Sequence, residues 1–295
     1  MSLLFAFLAF AQVGPFTKPG PQPVSPLPPE VIERQAQERR RPAAQVPLKV
    51  PELPKPQSEL DRCLDAVDAD PLQAVDAARA WLQTAKGVPA SQAGHCLGVA
   101  LGRLERWSEA QAAFADAREM AIDGHEKARL GAMAGNAALA AGDAKTALAL
   151  LDAAHADALA VVGRPLAGDI AIDRARALVA LSRNDEAAAA LAEARTKLPR
   201  NPQAWLLSAT LSRRMGKLDE AQVQIQQAAE LLPIDPDIGL EAGVIAVLSG
   251  REEAARKSWQ SVIDAAPASD AAATAKTYLA QLGPEAPTAQ VPPKP

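Results

Sequence analysis

A 34-residue period in the C-terminal half of the chain is the feature that most constrains its fold. Pro199, Pro233 and Pro267 are 34 residues apart. Three further sets of positions keep the same step: Ala187, Ala221 and Ala255; Leu191, Ile225 and Trp259; and Ala175, Ala209 and Gly243. A fixed period of this length indicates stacked copies of one supersecondary unit. The sequence therefore predicts a solenoid that includes residues 168–269.

One unit, residues 202–235, shows what each copy contains. Asn201 and Pro202 are residue types favoured at the N-cap and at the first position of a helix. Gly216 predicts a break after a first helix that ends near Met215, because glycine readily adopts a left-handed conformation. Pro233 ends a second helix that starts near residue 218, since proline cannot continue it. Each unit is thus predicted to be a pair of helices.

This order of residue types resembles the tetratricopeptide repeat, which has a Trp, a small residue, a Gly turn, an Ala, an aromatic, an Ala and a terminal Pro. In residues 202–235 the match consists of Trp205, Ala209, Gly216, Ala221, Ile225, Ala228 and Pro233. On this pattern the predicted units are 58–90, 91–124, 128–161, 168–201, 202–235 and 236–269, followed by a capping helix, 270–282. The resemblance implies an all-α, right-handed solenoid that binds a protein or peptide on its concave face.

The composition agrees with packed helices and argues against nucleic-acid binding. Aromatic residues make up 3% of the chain, and alanine is abundant at predicted helix contacts. The net charge is −4, and no basic cluster is interleaved with aromatic residues. The composition therefore predicts no nucleic-acid partner, and the resemblance implies a protein or peptide partner.

The two ends of the chain differ in composition from the repeats. Leu3 to Phe10 is an apolar run followed by a small-x-small site, which predicts a signal peptide, residues 1–11. Because no Lys or Arg precedes the run, two alternatives stay open: a disordered apolar N-terminus, or a start codon assigned too far downstream. Residues 15–56 hold 12 of the 25 prolines, so 12–57 is predicted to be a disordered linker, and 283–295 a disordered tail. The apolar run is far shorter than the ~20 apolar residues needed to span a bilayer, and no other stretch is predicted to span a membrane.

Cys63 and Cys96 are 33 residues apart, about one repeat, and each falls within the first helix of its unit. If the protein is exported, this spacing favours a disulfide between neighbouring helices. The alternative is that both are small buried residues at helix contacts. His95, His125 and His155 are isolated, with no second ligand at metal-binding spacing, so no metal or cofactor is predicted.

The resemblance implies that the concave face is lined by the first helix of each unit. The predicted partner-binding groove consists of Gln92, His95, Arg103, Arg129, Asn136, Arg176, Leu206, Thr210, Arg213, Leu240 and Val244. Its four arginines favour a partner carrying carboxylates, and the apolar last unit favours one apolar anchor. The alternative is that these arginines pair with neighbouring Asp and Glu residues.

No motif for a catalytic nucleophile, a phosphate loop or a carboxylate pair in a pocket is present in the sequence. The predicted function is therefore a non-enzymatic interaction scaffold of the bacterial periplasm or cell envelope. Two alternatives stay open: a cytoplasmic adaptor or regulator with the same fold, and a docking subunit of an enzyme. The sequence carries no signal for an oligomeric state.

Overall fold

The computed structural model describes residues 57–161 and 166–283. These two ranges contain thirteen α-helices and no β-strand. In chain order the helices are α1 Glu59–Ala69, α2 Pro71–Thr84, α3 Val88–Arg103, α4 Trp107–Met120, α5 Gly124–Ala140, α6 Ala144–Ala160, α7 Leu166–Ala180, α8 Asn184–Lys197, α9 Pro202–Arg214, α10 Leu218–Leu231, α11 Pro236–Leu248, α12 Glu252–Ala265 and α13 Asp270–Leu282.

The helices form stacked pairs. Each helix packs against its neighbours in the chain, and contacts beyond them are made mainly between alternate helices. We call α1, α3, α5, α7, α9 and α11 the first helices, and the helices that follow each of them the second helices. Because each pair contacts the pairs before and after it, the prediction of an all-α solenoid is confirmed. None of the helices in the described ranges combines the length and the apolar character needed to cross a membrane.

The same turn joins the first helix to the second helix in five successive pairs. The residue with positive φ in this turn is Glu105, Gly142, Ser182, Gly216 or Gly250. In each case its N–H and the next N–H bond back to carbonyls of the first helix, as in Arg106 to Leu101 at 2.9 Å. Two turns therefore use a non-glycine residue in a conformation that L-residues adopt at a cost. For that reason these two turns could not be recognised from a glycine in the sequence.

Small residues on the first helices receive large side chains from the second helices. A Cβ atom added to Gly98 would lie 2.5 Å from Phe114, and one added to Gly243 would lie 2.1 Å from Trp259. The equivalent pairs in the other units are Gly135 with Leu151, Ala175 with Leu191, and Ala209 with Ile225, all of them buried. The large side chain thus varies between units: glycine stands opposite both aromatic side chains and opposite Leu151, and alanine stands opposite Leu191 and Ile225.

The last helix, α13, keeps the 34-residue spacing of the first helices. Its N-cap is Ser269, which lies 34 residues after the N-cap Asp235, which itself lies 34 residues after the N-cap Asn201. Helix α13 packs against both α11 and α12, with Ala271, Ala272 and Ala275 buried in the contact. It is therefore placed as a first helix without a partner, and the prediction of a C-terminal capping helix is confirmed.

Cys63 on α1 and Cys96 on α3 are joined by a disulfide, with their Cα atoms 6.1 Å apart. The two helices pack directly against each other, and Cys96 is completely buried. The bond ties the N-terminal helix pair to the second pair. The predicted signal peptide, residues 12–56 of the predicted linker and residues 284–295 of the predicted tail lie outside the described residues.

Candidate functional site

The candidate site is the surface formed by the first helices α3, α5, α7, α9 and α11, which we call the first-helix face. All eleven residues of the predicted groove lie on these helices. The junctions between successive first helices are of two kinds. Helices α5 and α7, like α9 and α11, pack directly against each other, whereas α3 and α5, like α7 and α9, approach each other less closely. The less close junctions leave two clefts.

The C-terminal cleft lies between α7 and α9 and has a volume of about 200 Å³. Its floor is Leu191 of α8, and its rim carries the two cations Arg176 and Arg214. The remaining lining residues are Ala175, Val179, Leu207, Thr210 and Leu211. The interior of this cleft is therefore mostly apolar, and it can receive one aliphatic or aromatic side chain.

The N-terminal cleft lies between α3 and α5 and has a volume of about 300 Å³. Its lining residues are Gly98, Val99, Gly102, Trp107, Ala110, Phe114, Met133, Asn136 and Ala137. The two clefts are equivalent in the repeat, because Phe114 and Leu191 each lie nine residues after the left-handed turn residue. Asn136 and Thr210 each lie six residues before that turn residue in their units. The same position in the repeat thus forms an open cleft at two junctions, α3–α5 and α7–α9.

A polar contact separates the two clefts. Asp173 of α7 accepts a hydrogen bond from Asn136 Nδ2 at 2.8 Å and pairs with Arg176 at 2.5 Å. Asn136 lines the N-terminal cleft and Arg176 lines the C-terminal cleft. Sequence reasoning missed Asp173, since the pattern of the repeat specifies no residue type at its place.

A third junction, between α11 and α13, is filled. Tyr278 stands nine residues after its N-cap, as Thr210 does, and its ring centroid lies 5.2 Å from that of Trp259. Leu240, Val244 and Val247 pack against the same cluster, which includes the buried alanines of α13. The predicted apolar anchor residues Leu240 and Val244 are therefore partly covered by this C-terminal cluster.

His95 does not line the surface as predicted. Its ring is 4% exposed and lies beneath Arg129, whose Nη2 is 3.2 Å from His95 Nδ1. Arg129 in turn donates two hydrogen bonds to Glu126, at 2.7 and 2.9 Å. Burial, together with the positive charge of Arg129, lowers the pKa of His95 from 6.5 to about 4. The ring is therefore neutral at pH 7 and acts as a packing element between α3 and α5.

The four arginines of the predicted groove are all paired with carboxylates. The pairs are Arg103 with Asp68, Arg129 with Glu126, Arg176 with Asp173, and Arg213 with Glu241. Arg213 and Glu241 are the most enclosed of these, with 21% and 13% of their side chains exposed. Each of the four predicted arginines is therefore compensated, whereas Arg214 at the C-terminal cleft has no ion-pair partner among the described residues. The predicted preference for an acidic partner is not supported.

The other predicted groove residues remain at the surface or near it. Gln92, Leu206 and Thr210 are partly buried on α3 and α9, and of these Thr210 lines a cleft. In residues 57–161 and 166–283, no group of three or more histidine, cysteine or carboxylate side chains is placed to hold a metal ion. The site therefore consists of shaped, mostly apolar clefts that are suited to binding a side chain.

Comparison with solved structures identifies the fold. The chain is similar to PilW, a widely conserved type IV pilus biogenesis factor, with 17% identity, a TM-score of 0.59, and coverage of 74% of this chain and 98% of that one. It is similar to Pseudomonas aeruginosa PilF, with 15% identity, a TM-score of 0.57, and coverage of 76% and 100%. It is also similar to TTC0263, a thermophilic TPR protein of Thermus thermophilus, with 21% identity, a TM-score of 0.52, and coverage of 65% and 100%.

These likenesses show that the chain has the fold of a tetratricopeptide-repeat solenoid, as the sequence pattern predicted. No protein-family model matches the chain, and no curated protein matches it. A solenoid of this kind stacks helix pairs into an extended surface and is a protein-interaction fold.

Proposed function

We propose that the chain is a non-enzymatic scaffold of the bacterial periplasm or cell envelope, which binds a segment of a partner protein along its first-helix face. The observation that carries this proposal is the pair of equivalent clefts between α3 and α5 and between α7 and α9. Apolar concavities with a few polar groups at the rim are typical of binding sites. Their recurrence at one place in the repeat argues for a linear ligand over a single small molecule.

The proposed location rests on two features of the chain. The apolar run from Leu3 to Phe10 predicts a signal peptide. The disulfide between Cys63 and Cys96 fits an oxidising compartment, since the cytosol keeps most thiols reduced. The intact mass of the protein from its native host, measured with and without reduction before alkylation, tests both points. A full-length chain with two free thiols would place the scaffold in the cytoplasm.

The binding face is tested by photo-crosslinking in the native host. A photoreactive benzoylphenylalanine is introduced at Val99 in the N-terminal cleft, at Val179 in the C-terminal cleft, and at Val223, which is 63% exposed on α10, away from both. We expect Val99 and Val179 to give adducts with the same protein. Adducts from Val223 alone, or equal adducts from all three positions, would contradict binding on the first-helix face.

A further inference from the structure

The two clefts and the polar contact between them form one continuous stripe on the first-helix face. Asn136 belongs to the wall of the N-terminal cleft, and Arg176 to that of the C-terminal cleft. Both contact the same carboxylate, Asp173, on α7. A linear ligand seated in one cleft would therefore pass over Asp173 before it reached the other cleft.

The distance between the clefts sets the spacing of the side chains that could fill both. From the α3–α5 junction to the α7–α9 junction is two steps between neighbouring first helices, which amounts to roughly 16–20 Å at 8–10 Å for each step. An extended chain advances about 3.3 Å for each residue. Two side chains about five or six residues apart would span this distance, and a separation of six places both on the same side of an extended chain.

The charge between the clefts favours a cation in the ligand. Asp169 and Asp173 are one helical turn apart on α7, and Arg176 pairs with Asp173. Within the described ranges, Asp169 has neither a hydrogen-bond nor an ion-pair partner for its exposed carboxylate. Partial desolvation of the carboxylate and the neighbouring charge of Asp173 raise the pKa of Asp169 above its usual value of 3.8. Asp169, Asp173 and Arg176 thus leave one negative charge on α7, which a positive side chain near Asp169 would neutralise. Arg214, which has no ion-pair partner among the described residues, lies on the neighbouring helix α9 at the C-terminal cleft.

We propose that the partner segment is an extended peptide with two large apolar side chains about five or six residues apart and a lysine or arginine between them. The two apolar side chains fill the N-terminal and C-terminal clefts, and the cation lies near Asp169. This inference rests on the proposed function, because it specifies the ligand of the same face. It reverses the charge preference that the sequence predicted.

The ligand is sought with a random 12-residue peptide library displayed on phage, selected on the purified protein with its disulfide intact. Each cleft is then closed by the residue that fills the α11–α13 junction: Asn136→Tyr for the N-terminal cleft and Thr210→Tyr for the C-terminal cleft. Thr196→Tyr, on the exposed side of α8, is the matched control. Val99→Glu and Val179→Glu are second variants of each cleft, since Asn136→Tyr also removes the hydrogen bond to Asp173.

We expect the enriched peptides to share two apolar residues at the stated spacing with a basic residue between them. Replacing one of the two apolar residues by Ser should weaken binding by about tenfold or more, because each apolar side chain contributes at least about 1.4 kcal/mol when buried. Closing one cleft should have a similar effect, while Thr196→Tyr should bind as the wild type does. Asp169→Asn should weaken binding about threefold and remove the preference for a basic residue. Fluorescence anisotropy with synthetic peptides measures each of these ratios.

The outcomes separate this inference from the proposed function. Enriched peptides that depend on both clefts but carry a single apolar residue, or two at another spacing, would overturn the inference and leave binding on the first-helix face intact. An acidic residue in place of the basic one would overturn the charge assignment. Peptides that bind every cleft variant as tightly as the wild type, or a library that yields no enriched peptide, would overturn both. Circular dichroism and thermal melting establish that each variant is folded.

Discussion

The α7–α9 and α11–α13 junctions occupy the same position in the repeat, but the first is an open cleft and the second is filled by side chains. At the α7–α9 junction, Leu191 and Thr210 leave a cleft of about 200 Å³. At the α11–α13 junction, Trp259 and Tyr278 occupy the equivalent places and their rings pack at 5.2 Å. Helices α11 and α13 pack directly against each other, whereas α7 and α9 approach each other less closely. Helix spacing and the two side chains together therefore decide whether a junction is open or filled.

The largest expected loss of stability comes from replacing Gly243, because its lack of a side chain leaves room for Trp259 at the filled junction. In Gly243→Ala, the added Cβ atom would lie 2.1 Å from Trp259 Nε1, which donates a hydrogen bond to the Leu240 carbonyl at 3.0 Å. We expect overpacking to lower the free energy of unfolding by about 1–3 kcal/mol. Chemical denaturation measures this change.

The control for that prediction uses the pair found at the open junction. In the double variant Gly243→Ala/Trp259→Leu, the residues match Ala175 and Leu191. We expect the cost of Gly243→Ala to fall below about 0.5 kcal/mol in the Trp259→Leu background, because the steric conflict is gone. If the stability costs of Gly243→Ala and Trp259→Leu were strictly additive, Gly243 would not be required for the packing of the Trp259 ring.

Opening the filled junction should have the next largest effect. Tyr278→Thr reproduces the residue at the α7–α9 junction and removes the aromatic contact with Trp259. We expect a loss of about 1–2 kcal/mol in the free energy of unfolding, from lost apolar burial and ring packing. Hydrogen exchange of α13 should rise in the same variant. Unchanged exchange and stability would mean that Tyr278 is not what closes this junction.

The turns next to the two junctions provide a smaller test. Ser182 joins α7 to α8 with φ of 60°, and Gly250 joins α11 to α12 with φ of 73°. Ser182→Gly should raise the free energy of unfolding by roughly 0.5–1 kcal/mol, since glycine adopts positive φ without the penalty of a side chain. Gly250→Ser should lower it by a similar amount. Thermal melting of the two variants gives the comparison, and a destabilised Ser182→Gly would contradict it.

Near neutral pH, the smallest expected effect is that of pH on the α3–α5 junction. The pKa of His95 is about 4 in the folded protein and 6.5 in an unfolded chain. Between pH 6.5 and pH 4, His95 is protonated in the unfolded chain but neutral in the folded chain. The stability that is present above pH 6.5 is therefore lost as the pH falls towards 4. Between about pH 7 and pH 6 the loss should be roughly 0.5–0.7 kcal/mol.

His95→Gln should remove this component of the pH dependence, whereas Tyr278→Thr should leave it unchanged. The test is the difference between variant and wild-type stability as a function of pH, since other groups titrate equally in both. A difference that is constant from about pH 7 to pH 4.5 would mean that His95 titrates normally in the folded protein.

The helix pairs were predictable because their signals are local. Asn201 with Pro202, Gly216 and Pro233 each act on the backbone near them, and α9 and α10 begin and end within one residue of the predicted positions. Ser182 was harder to predict, because serine is not a residue type that indicates a left-handed turn. The resemblance to the repeat then supplied the turn position in the other units.

The candidate site was less predictable because its properties arise between units. The repeat pattern placed Arg176 and Arg213 on the first helices. Asp173 lies three residues before Arg176, which is a local signal of pairing on one helix. The pattern could not show that Glu241 of the next first helix lies beside Arg213. Whether a junction is open depends on pairs such as Leu191 with Thr210, which are 19 residues apart and carry no joint signal in one sequence. Leu240 and Val244 are partly buried against a cluster that includes residues of α13, a contact between elements that the repeat pattern does not show.

The position of Ser269, one full period after Asp235, has a consequence for how this chain could change in length. The terminal helix packs on the last pair in the way that any first helix packs on the pair before it. A duplication or deletion of 34 residues, such as 202–235, would therefore present the same surface to the same helix. The array can lengthen or shorten by whole units while keeping its original terminal helix. Duplication of a gene segment can therefore change the number of side chains that contact a ligand.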